Sequence, residues 1–180
     1  MKLSAKNIKK KIEKIPVENR IYVDETGMHE YPFKTHGWAK KGEKIYTKVH
    51  GQKGKRINVI GAIRNNEFIA HKEIYGAVNS VKFLDFVIKG IVPHVKKGDV
   101  VIMDNARIHT SKRNEIRKLI EEKGGQLLFL PPYSPDFNPI EHCWGTLKTV
   151  VKSTRKFFDS LSIALLNYFS TRMMEVRTEL

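Results

Sequence analysis

The sequence predicts a single α/β domain built on a mixed sheet. The chain has 180 residues, of which 41% are hydrophobic and 29% are charged, as in an ordinary globular protein. Strand-like segments come first, and helical segments then alternate with two apolar strand-like segments. This order indicates antiparallel strands followed by parallel ones, with helices packed on the sheet.

The first half of the chain reads as strands joined by turns. Ile21 and Val23 alternate with polar or aromatic residues, which indicates a strand that ends at Glu25, with Gly27 as a breaker. Asn65 and Asn66 predict a tight turn between two further strands. The predicted strands of this half are 20–25, 44–50, 56–64 and 67–74.

The second half begins with a predicted helix over 80–95, with Pro93 near its end. The wholly apolar run 100–103 predicts a strand buried on both faces. The apolar residues assigned to one face of the helix are Val81, Leu84, Val87, Ile88 and Ile91.

Three helices and one more strand follow. The helix over 111–123 buries Ile116, Leu119 and Ile120 and stops at Gly124-Gly125. We expect 126–130 to be another buried strand, and 138–152 and 159–174 to be helices.

Composition limits the kind of protein this is. There are 33 Lys and Arg against 19 Asp and Glu, a net charge of +14, which indicates a polyanionic partner. A single cysteine, Cys143, excludes a disulfide scaffold. No apolar run is long enough to span a bilayer, and Met1 is not followed by a signal peptide, so we expect no membrane partner and a cytoplasmic location.

The basic residues between Lys40 and Arg56 form a cluster that is either a solvated surface hairpin or an arm that contacts phosphates. Trp38 lies at its edge and either stacks on a base or anchors the hairpin. The candidate DNA contacts are Trp38, Lys40, Lys41, Lys44, Lys48, Lys53, Lys55 and Arg56, with Lys148 and Lys152 farther along.

Three carboxylates come from separate predicted elements. Asp24 and Asp104 each end a predicted central strand, where α/β sheets place ligands, and Glu141 lies in the first turn of a helix. Three such carboxylates can hold Mg²⁺, and a pair of ions can stabilise both oxygens of a phosphoryl displacement.

Each carboxylate also has a structural interpretation. Asp24 can begin a turn, and Asp104 can cap or turn the chain. Glu141 can complete a capping box, with Asn138 as N-cap and Pro139 at the first helical position.

The helix that Glu141 opens has two faces of different chemistry. One is apolar and predicts core, and the other suits either a metal site beside a DNA backbone or a plain solvated surface. The first contains Ile140, Trp144, Leu147 and Val151, and the second Glu141, Gly145, Lys148 and Lys152.

Four strings together resemble the DDE transposases, and within them the insertion-sequence branch of the Tc1/mariner superfamily, the IS630 group. The similarity covers about residues 20–152. The strings are Tyr22-Val23-Asp24-Glu25-Thr26, Gly37-Trp38-Ala39, Met103-Asp104-Asn105-Ala106-Arg107-Ile108-His109 and Pro131-Pro132-Tyr133-Ser134-Pro135-Asp136-Phe137-Asn138-Pro139-Ile140-Glu141.

The resemblance implies a fold and a reaction. The fold is a ribonuclease-H-like, mixed five-stranded sheet with helices on both faces. Asp24, Asp104 and Glu141 are the implied catalytic triad and metal ligands, for two Mg²⁺ ions that Mn²⁺ can replace. The implied reaction is hydrolysis at transposon ends, followed by attack of the freed 3′-hydroxyl on target DNA. Asn105, His109 and Asn138 are implied supporting residues.

The chain departs from the family at its start. Members carry an N-terminal helix-turn-helix region, whereas only about twenty residues precede Asp24. We therefore expect 1–19 to be a basic segment or linker remnant, 20–155 the catalytic domain and 156–180 a C-terminal helix. The DNA-reading part is either encoded separately or lost from a truncated copy.

The expected partners are double-stranded DNA, as transposon ends and target, and a second copy in a homodimer. The expected location is a bacterial cytoplasm, on the nucleoid when bound to DNA. The competing interpretations are a catalytically silent DNA-binding derivative and a stand-alone ribonuclease-H-like nuclease. The chain contains no zinc, P-loop or serine-hydrolase motif.

Overall fold

One mixed sheet organises the molecule. The computed structural model describes residues 5–30, 39–44, 55–131 and 137–175. In these ranges the sheet has five strands, the predicted number, and their order is β3-β2-β1-β4-β5. The strands are β1 Arg20–His29, β2 Arg56–Arg64, β3 Glu67–Tyr75, β4 Val100–Met103 and β5 Gln126–Phe129.

Six α-helices lie in the same described ranges. They are α1 Ala5–Glu13, α2 Ser80–Phe86, α3 Arg107–Thr110, α4 Arg113–Glu121, α5 Ile140–Thr154 and α6 Leu161–Glu175. None of them is long and apolar enough to cross a membrane.

The strand directions follow from the connections. β1, β2 and β3 are antiparallel neighbours, and Asn65 and Asn66 adopt positive φ angles of 52° and 64° in the predicted tight turn between β2 and β3. β4 lies parallel to β1 and to β5, with Val23 opposite Met103. Asp24 and Asp104 therefore leave the β1–β4 pairing side by side.

Helices cover both faces of the sheet, so the protein has two hydrophobic cores. On the face of α1, α5 and α6, Tyr22 and Ile102 of the sheet share a core with Trp144. On the opposite face, Val23 of β1 shares a core with Phe83 of α2. Because strand side chains alternate, consecutive residues of β1 face different cores.

Gly61 of β2 lets α5 approach the sheet closely. A Cβ added at Gly61 would lie 2.5 Å from the Cη2 atom of Trp144 and 3.0 Å from the ring of Phe68. Trp144 is 1% exposed, as the predicted core assignment requires. The missing side chain at Gly61 is thus part of what sets the height of α5 above the sheet.

The predicted end of β1 is wrong. The strand runs to His29, and Gly27 pairs with Asn58 instead of breaking it. The antiparallel partner β2 extends β1 beyond the end of β4, which the local sequence around Gly27 does not reveal. Asp24 consequently lies within a strand and neither ends one nor begins a turn.

The predicted helix over 80–95 is also altered. Only α2 is α-helical, and a π-helical turn, Val87–Ile91, and a short 3₁₀ turn, Val92–His94, complete the segment. Val81 and Ile88, which were assigned to the buried face, are 67% and 45% exposed. The sheet instead buries the side on which Phe83 and Phe86 lie.

Two later predictions need correction. The expected helix over 111–123 is shorter than predicted and is α4, Arg113–Glu121, with the separate short helix α3 before it. Ile116 and Ile120 are buried and Leu119 is half-buried. β5 is not fully buried, because it is the edge strand, and only Leu128 of its residues is buried.

The first helix packs on the sheet. Ile8 and Ile12 of α1 are each 7% exposed and belong to the core beneath α5 and α6. Of the predicted strand 44–50, only Lys44 belongs to the described residues, and 45–50 lie outside them. The boundaries at residues 19 and 155 stay predictions.

Candidate active site

Two strands and one helix bring the three predicted carboxylates into one region. Asp24 follows Val23 in β1. Asp104 follows Met103, which pairs with Val23, at the end of β4. Asp24 lies two residues after Tyr22 in the strand, so its side chain points to the same face of the sheet, the one on which α5 packs. Glu141, exposed in the first turn of α5, lies on that side.

Asp24 reports the proximity of the other acids through its pKa. The pKa of its carboxyl is raised to about 7, first by burial and then by the negative charges of Glu25, Glu141 and Asp104, while a backbone hydrogen bond at Glu25 lowers it. Asp104 and Glu141 are thus each close enough to repel the Asp24 carboxylate. A cation placed among them would remove this repulsion.

Asp104 is held more firmly than Asp24. Its Oδ1 accepts a hydrogen bond from the Ala106 N–H at 2.9 Å and one from Nδ1 of His109 at 2.6 Å. Burial raises the pKa of Asp104, but these hydrogen bonds outweigh it and leave the pKa below the ordinary value. The turn at Asp104 predicted from its sequence is therefore present, together with an ion pair.

His109 is the centre of this network. The side chain is fully buried, and its ring lies 4.2 Å from that of Phe83, centroid to centroid. Its Nε2 lies 2.8 Å from Oε1 of Glu25. Burial lowers the pKa of His109, but the bonds to Asp104 and Glu25 raise it to about 10, so the ring is an imidazolium that donates from both nitrogens.

Sequence reasoning missed Glu25. The signal was its place directly after Asp24 in a strand, because alternation points the two side chains to opposite faces. Of the predicted supporting residues, His109 contacts Asp104, whereas Asn105 is exposed and accepts a hydrogen bond from Arg113 at 3.2 Å.

The predicted capping box at α5 is wrong. Pro139 occupies the N-cap position, and no side chain caps the helix. Asn138 is buried, and among the described residues its Oδ1 has no hydrogen-bond partner. Because Asn138 lies one position too early to cap, Glu141 is free of that structural role.

A cleft of about 440 Å³ adjoins Glu141. Lys9 and Ile12 of α1 form one wall, and Tyr22, Phe137 and Glu141 contribute to the rest. The region beside Glu141 is therefore open to a substrate.

The predicted DNA contacts are partly described. Lys148 is half-buried and Lys152 exposed in α5, about two and three helical turns beyond Glu141. Trp38, Lys48 and Lys53 lie outside the described residues. The remaining candidates, all exposed, are Lys40, Lys41, Lys44, Lys55 and Arg56.

The carboxylates of Asp24, Asp104 and Glu141 are negatively charged oxygen donors, which suit a hard divalent cation. Within the described ranges, no three His, Cys, Asp or Glu side chains already surround a common point as metal ligands. Asp24, Asp104 and Glu141 nevertheless offer only oxygen donors, which Mg²⁺ and Mn²⁺ prefer. Burial raises the pKa of Asp24, and the charges of Asp104 and Glu141 raise it too; a divalent cation would relieve that repulsion.

Known proteins resemble this chain at three levels. A family model described as DDE superfamily endonuclease matches residues 19–163. The Transposable element Tc3 transposase of Caenorhabditis elegans is 29% identical over 113 residues, which are 61% of this chain and 34% of the relative. The chain therefore spans about a third of the length of that curated relative.

Solved structures show the same fold. The Mos1 Strand Transfer Complex superimposes with a TM-score of 0.59 at 16% identity, over 83% of this chain and 49% of that one. The Mos1 transposase catalytic domain with Raltegravir and Mg gives 0.59 at 18% identity, over 91% and 76%. The ribonuclease-H-like sheet predicted from the sequence is thus confirmed.

Proposed function

Because the chain belongs to the DDE superfamily of endonucleases, as a transposase of the Tc1/mariner type, we propose that it cuts DNA at transposon ends and joins them to target DNA. The observation that supports this most directly is the convergence of Asp24, Asp104 and Glu141. After burial, the charges of Asp104 and Glu141 contribute to raising the pKa of Asp24. Assignment to the IS630 group follows from the four sequence strings.

Asp24, Asp104 and Glu141 would hold the divalent ions, two Mg²⁺ or Mn²⁺. Bound there, the ions supply an activated attacking oxygen and stabilise the leaving oxygen of a phosphoryl displacement. The carboxylates would hold these ions between the first turn of α5 and the end of β4, where the scissile phosphate would bind.

The proposed chemistry has two steps, hydrolysis and strand transfer. In hydrolysis, a water oxygen bonds to phosphorus, the bond to the 3′-oxygen breaks, and that oxygen takes up a proton to become the transposon 3′-hydroxyl. In strand transfer, this hydroxyl loses its proton and bonds to a target phosphorus, and the target 3′-oxygen leaves with a proton. Neither step needs an oxidant or a nucleotide.

Basic side chains would hold the double-stranded DNA. Lys148 and Lys152 follow Glu141 along α5, so they are placed to neutralise phosphates beside the carboxylates. The exposed lysines 40, 41 and 44, with Lys55 and Arg56, would extend this surface.

The assembly we propose is a homodimer that brings two transposon ends together. The place of action would be a bacterial cytoplasm, on the nucleoid.

Cleavage of the element's own ends tests this proposal. The purified chain is incubated with duplexes that carry the inverted repeats flanking its gene, with Mg²⁺, Mn²⁺ or EDTA. We expect metal-dependent nicks and strand transfer, lost in Asp24→Asn and Asp104→Asn but retained in Glu122→Gln, an exposed residue at the end of α4.

The other outcomes identify the alternatives. Cleavage of any duplex without strand transfer would indicate a stand-alone nuclease. Salt-sensitive DNA binding that is indifferent to all three carboxylates, with no cleavage, would indicate a silent DNA-binding derivative. Full activity in Asp24→Asn would show that the assigned triad is wrong.

A further inference from the structure

We propose that His109 and Glu25 form a positioning pair that fixes the Asp104 carboxylate, so that Oδ1 is held by the protein and Oδ2 is presented to the metal. This inference rests on the proposed function. It assigns a role to Glu25, which lies beside the proposed triad without belonging to it.

The hydrogen bonds at Asp104 divide its two oxygens. Oδ1 accepts from the Ala106 N–H and from His109 Nδ1, at 2.9 and 2.6 Å, which uses both of its lone pairs. Oδ2 accepts no hydrogen bond among the described residues, and the Asp104 side chain is 47% exposed. The oxygen that remains for a cation is therefore Oδ2.

His109 can fix Asp104 because it is itself fixed. The ring is fully buried against Phe83, and its backbone N–H donates to the carbonyl of Ala106 at 3.0 Å. Rotation of the ring would break both carboxylate contacts at once. The imidazole is thus a rigid strut between the end of β4 and the middle of β1.

Glu25 holds His109 on the face of the sheet opposite to the one that Asp24 faces. Its side chain is 16% exposed, and a carboxylate so deeply buried is unfavourable unless it is paired. Its Oε1 lies 2.8 Å from Nε2 of His109. Because alternation turns Glu25 away from Asp24, Glu25 can hold His109 without competing for the metal.

The arrangement matches a general feature of metal sites. A partner that orients a ligand from behind typically changes metal affinity or activity by about 10- to 100-fold when it is mutated. The alternative is that the network merely attaches α3 to β1. That alternative predicts a loss of stability with no change in metal binding by the folded chain.

Mn²⁺ titration of the 180-residue chain distinguishes the positioning role from mere attachment of α3 to β1. The electron paramagnetic resonance signal of free Mn²⁺ follows the titration. We expect Glu25→Gln and His109→Gln to weaken Mn²⁺ binding about 10-fold or more. His109→Asn should be less affected than His109→Gln, because an Asn amide can replace Nδ1 as donor to Asp104. The double variant Glu25→Gln/His109→Gln should be no weaker than His109→Gln alone.

Glu73→Gln is the matched control. Glu73 is a half-buried glutamate of the same sheet that accepts a hydrogen bond from Ser162 at 2.6 Å. It should leave the Mn²⁺ affinity unchanged. Thermal unfolding of every variant shows that the titrated chain is folded.

A second measurement observes the strut directly. Proton NMR of the wild-type chain should show downfield imidazole N–H resonances that disappear in His109→Gln and move when Mg²⁺ is added. Resonances unmoved by Mg²⁺ would count against a link to the metal.

The results distinguish this inference from the function on which it rests. If Asp104→Asn weakens Mn²⁺ binding but Glu25→Gln and His109→Gln stay within about twofold of wild type, the positioning pair is wrong and the proposed function stands. If Asp104→Asn has no effect on Mn²⁺ binding, the proposed site fails and the positioning pair fails with it.

Discussion

Asp24 shows how an active site can oppose the stability of its own protein. Burial and three neighbouring carboxylates raise the pKa of Asp24 to about 7, so its ionised form is unfavourable in the folded chain. Such sites persist because function requires the charge. The metal-free chain should therefore gain stability when this charge is removed.

Asp24→Asn tests this through pH. The folded pKa lies above the unfolded value near 3.8, so the folded chain binds the extra proton between these values. The contribution of Asp24 to stability is thus present below about pH 4 and lost as the pH rises to about 7. In EDTA at pH 8, Asp24→Asn should be more stable than wild type, on the order of 4 kcal/mol, since the folded pKa lies about three units above 3.8 and one unit is about 1.4 kcal/mol.

Urea unfolding at pH 8 and pH 5 measures the free energy of unfolding of both chains. The difference between Asp24→Asn and wild type should be smaller at pH 5 than at pH 8. Mg²⁺ should stabilise the wild-type chain and not the variant. Equal stability of the two chains at both pH values would contradict the repulsion inferred at Asp24.

Glu141→Gln separates a ligand from a helix cap. Glu141 is exposed and α5 has no side-chain cap, so the substitution should change the free energy of unfolding by less than about 0.5 kcal/mol. Metal-dependent DNA cleavage should nevertheless disappear. Cleavage at the wild-type rate by a variant of wild-type stability would remove Glu141 from the site.

At the scale of elements, α5 depends on the absence of a side chain in β2. Gly61→Ala would place a methyl group 2.5 Å from Trp144, and the overpacking should destabilise the chain by about 1–3 kcal/mol. α5 must shift to relieve the clash, and Glu141 moves with it. We expect cleavage to fall more than stability alone explains.

The double variant Gly61→Ala/Trp144→Phe is the control. A smaller ring at position 144 should recover part of the cleavage that Gly61→Ala loses. Failure to recover, with folding intact, would show that the position of α5 does not depend on this contact.

Glu30 attaches α6 to the end of β1. Its Oε1 accepts hydrogen bonds from the N–H of Leu161 at 2.8 Å and from Arg155 at 2.6 Å. Glu30→Ala leaves both donors without this acceptor and should destabilise the chain by about 2 kcal/mol.

Hydrogen exchange should increase first in α6, while Glu30→Gln, which keeps an acceptor oxygen, should lose less stability. Uniform acceleration of exchange through the sheet would contradict a local anchoring role for Glu30.

At the scale of the whole molecule, the net charge of +14 should govern DNA affinity. Lys148→Gln/Lys152→Gln should weaken binding and lower the dependence of log K on log salt by about 0.9 for each phosphate that these lysines neutralise. Lys118→Gln, on α4 at the opposite face, should change neither.

Fluorescence anisotropy of a labelled duplex across a salt series measures both quantities. An unchanged slope in the double variant would place the DNA elsewhere on the surface.

Local patterns predicted most of the elements, because β2, β4 and α5 have apolar spacings that match their environments. Errors arose where a distant partner decided the outcome. β2 extends β1 through Gly27, the sheet selects Phe83 over Val81, and an edge position exposes β5. The proposed triad residues could be named from motifs, whereas the pairing of Glu25 with His109 joins residues 84 positions apart and needed the fold.

The two cores on opposite faces of the sheet have a genetic consequence. Apart from the contact between His109 and Asp104, the residues that support the proposed metal site from behind and the residues packed beneath α5 lie in separate hydrophobic cores. Suppressors of a defect at Glu25 should therefore be found around Phe83, and suppressors of a defect at Gly61 around Trp144. Laboratory evolution could retune the two compartments one at a time.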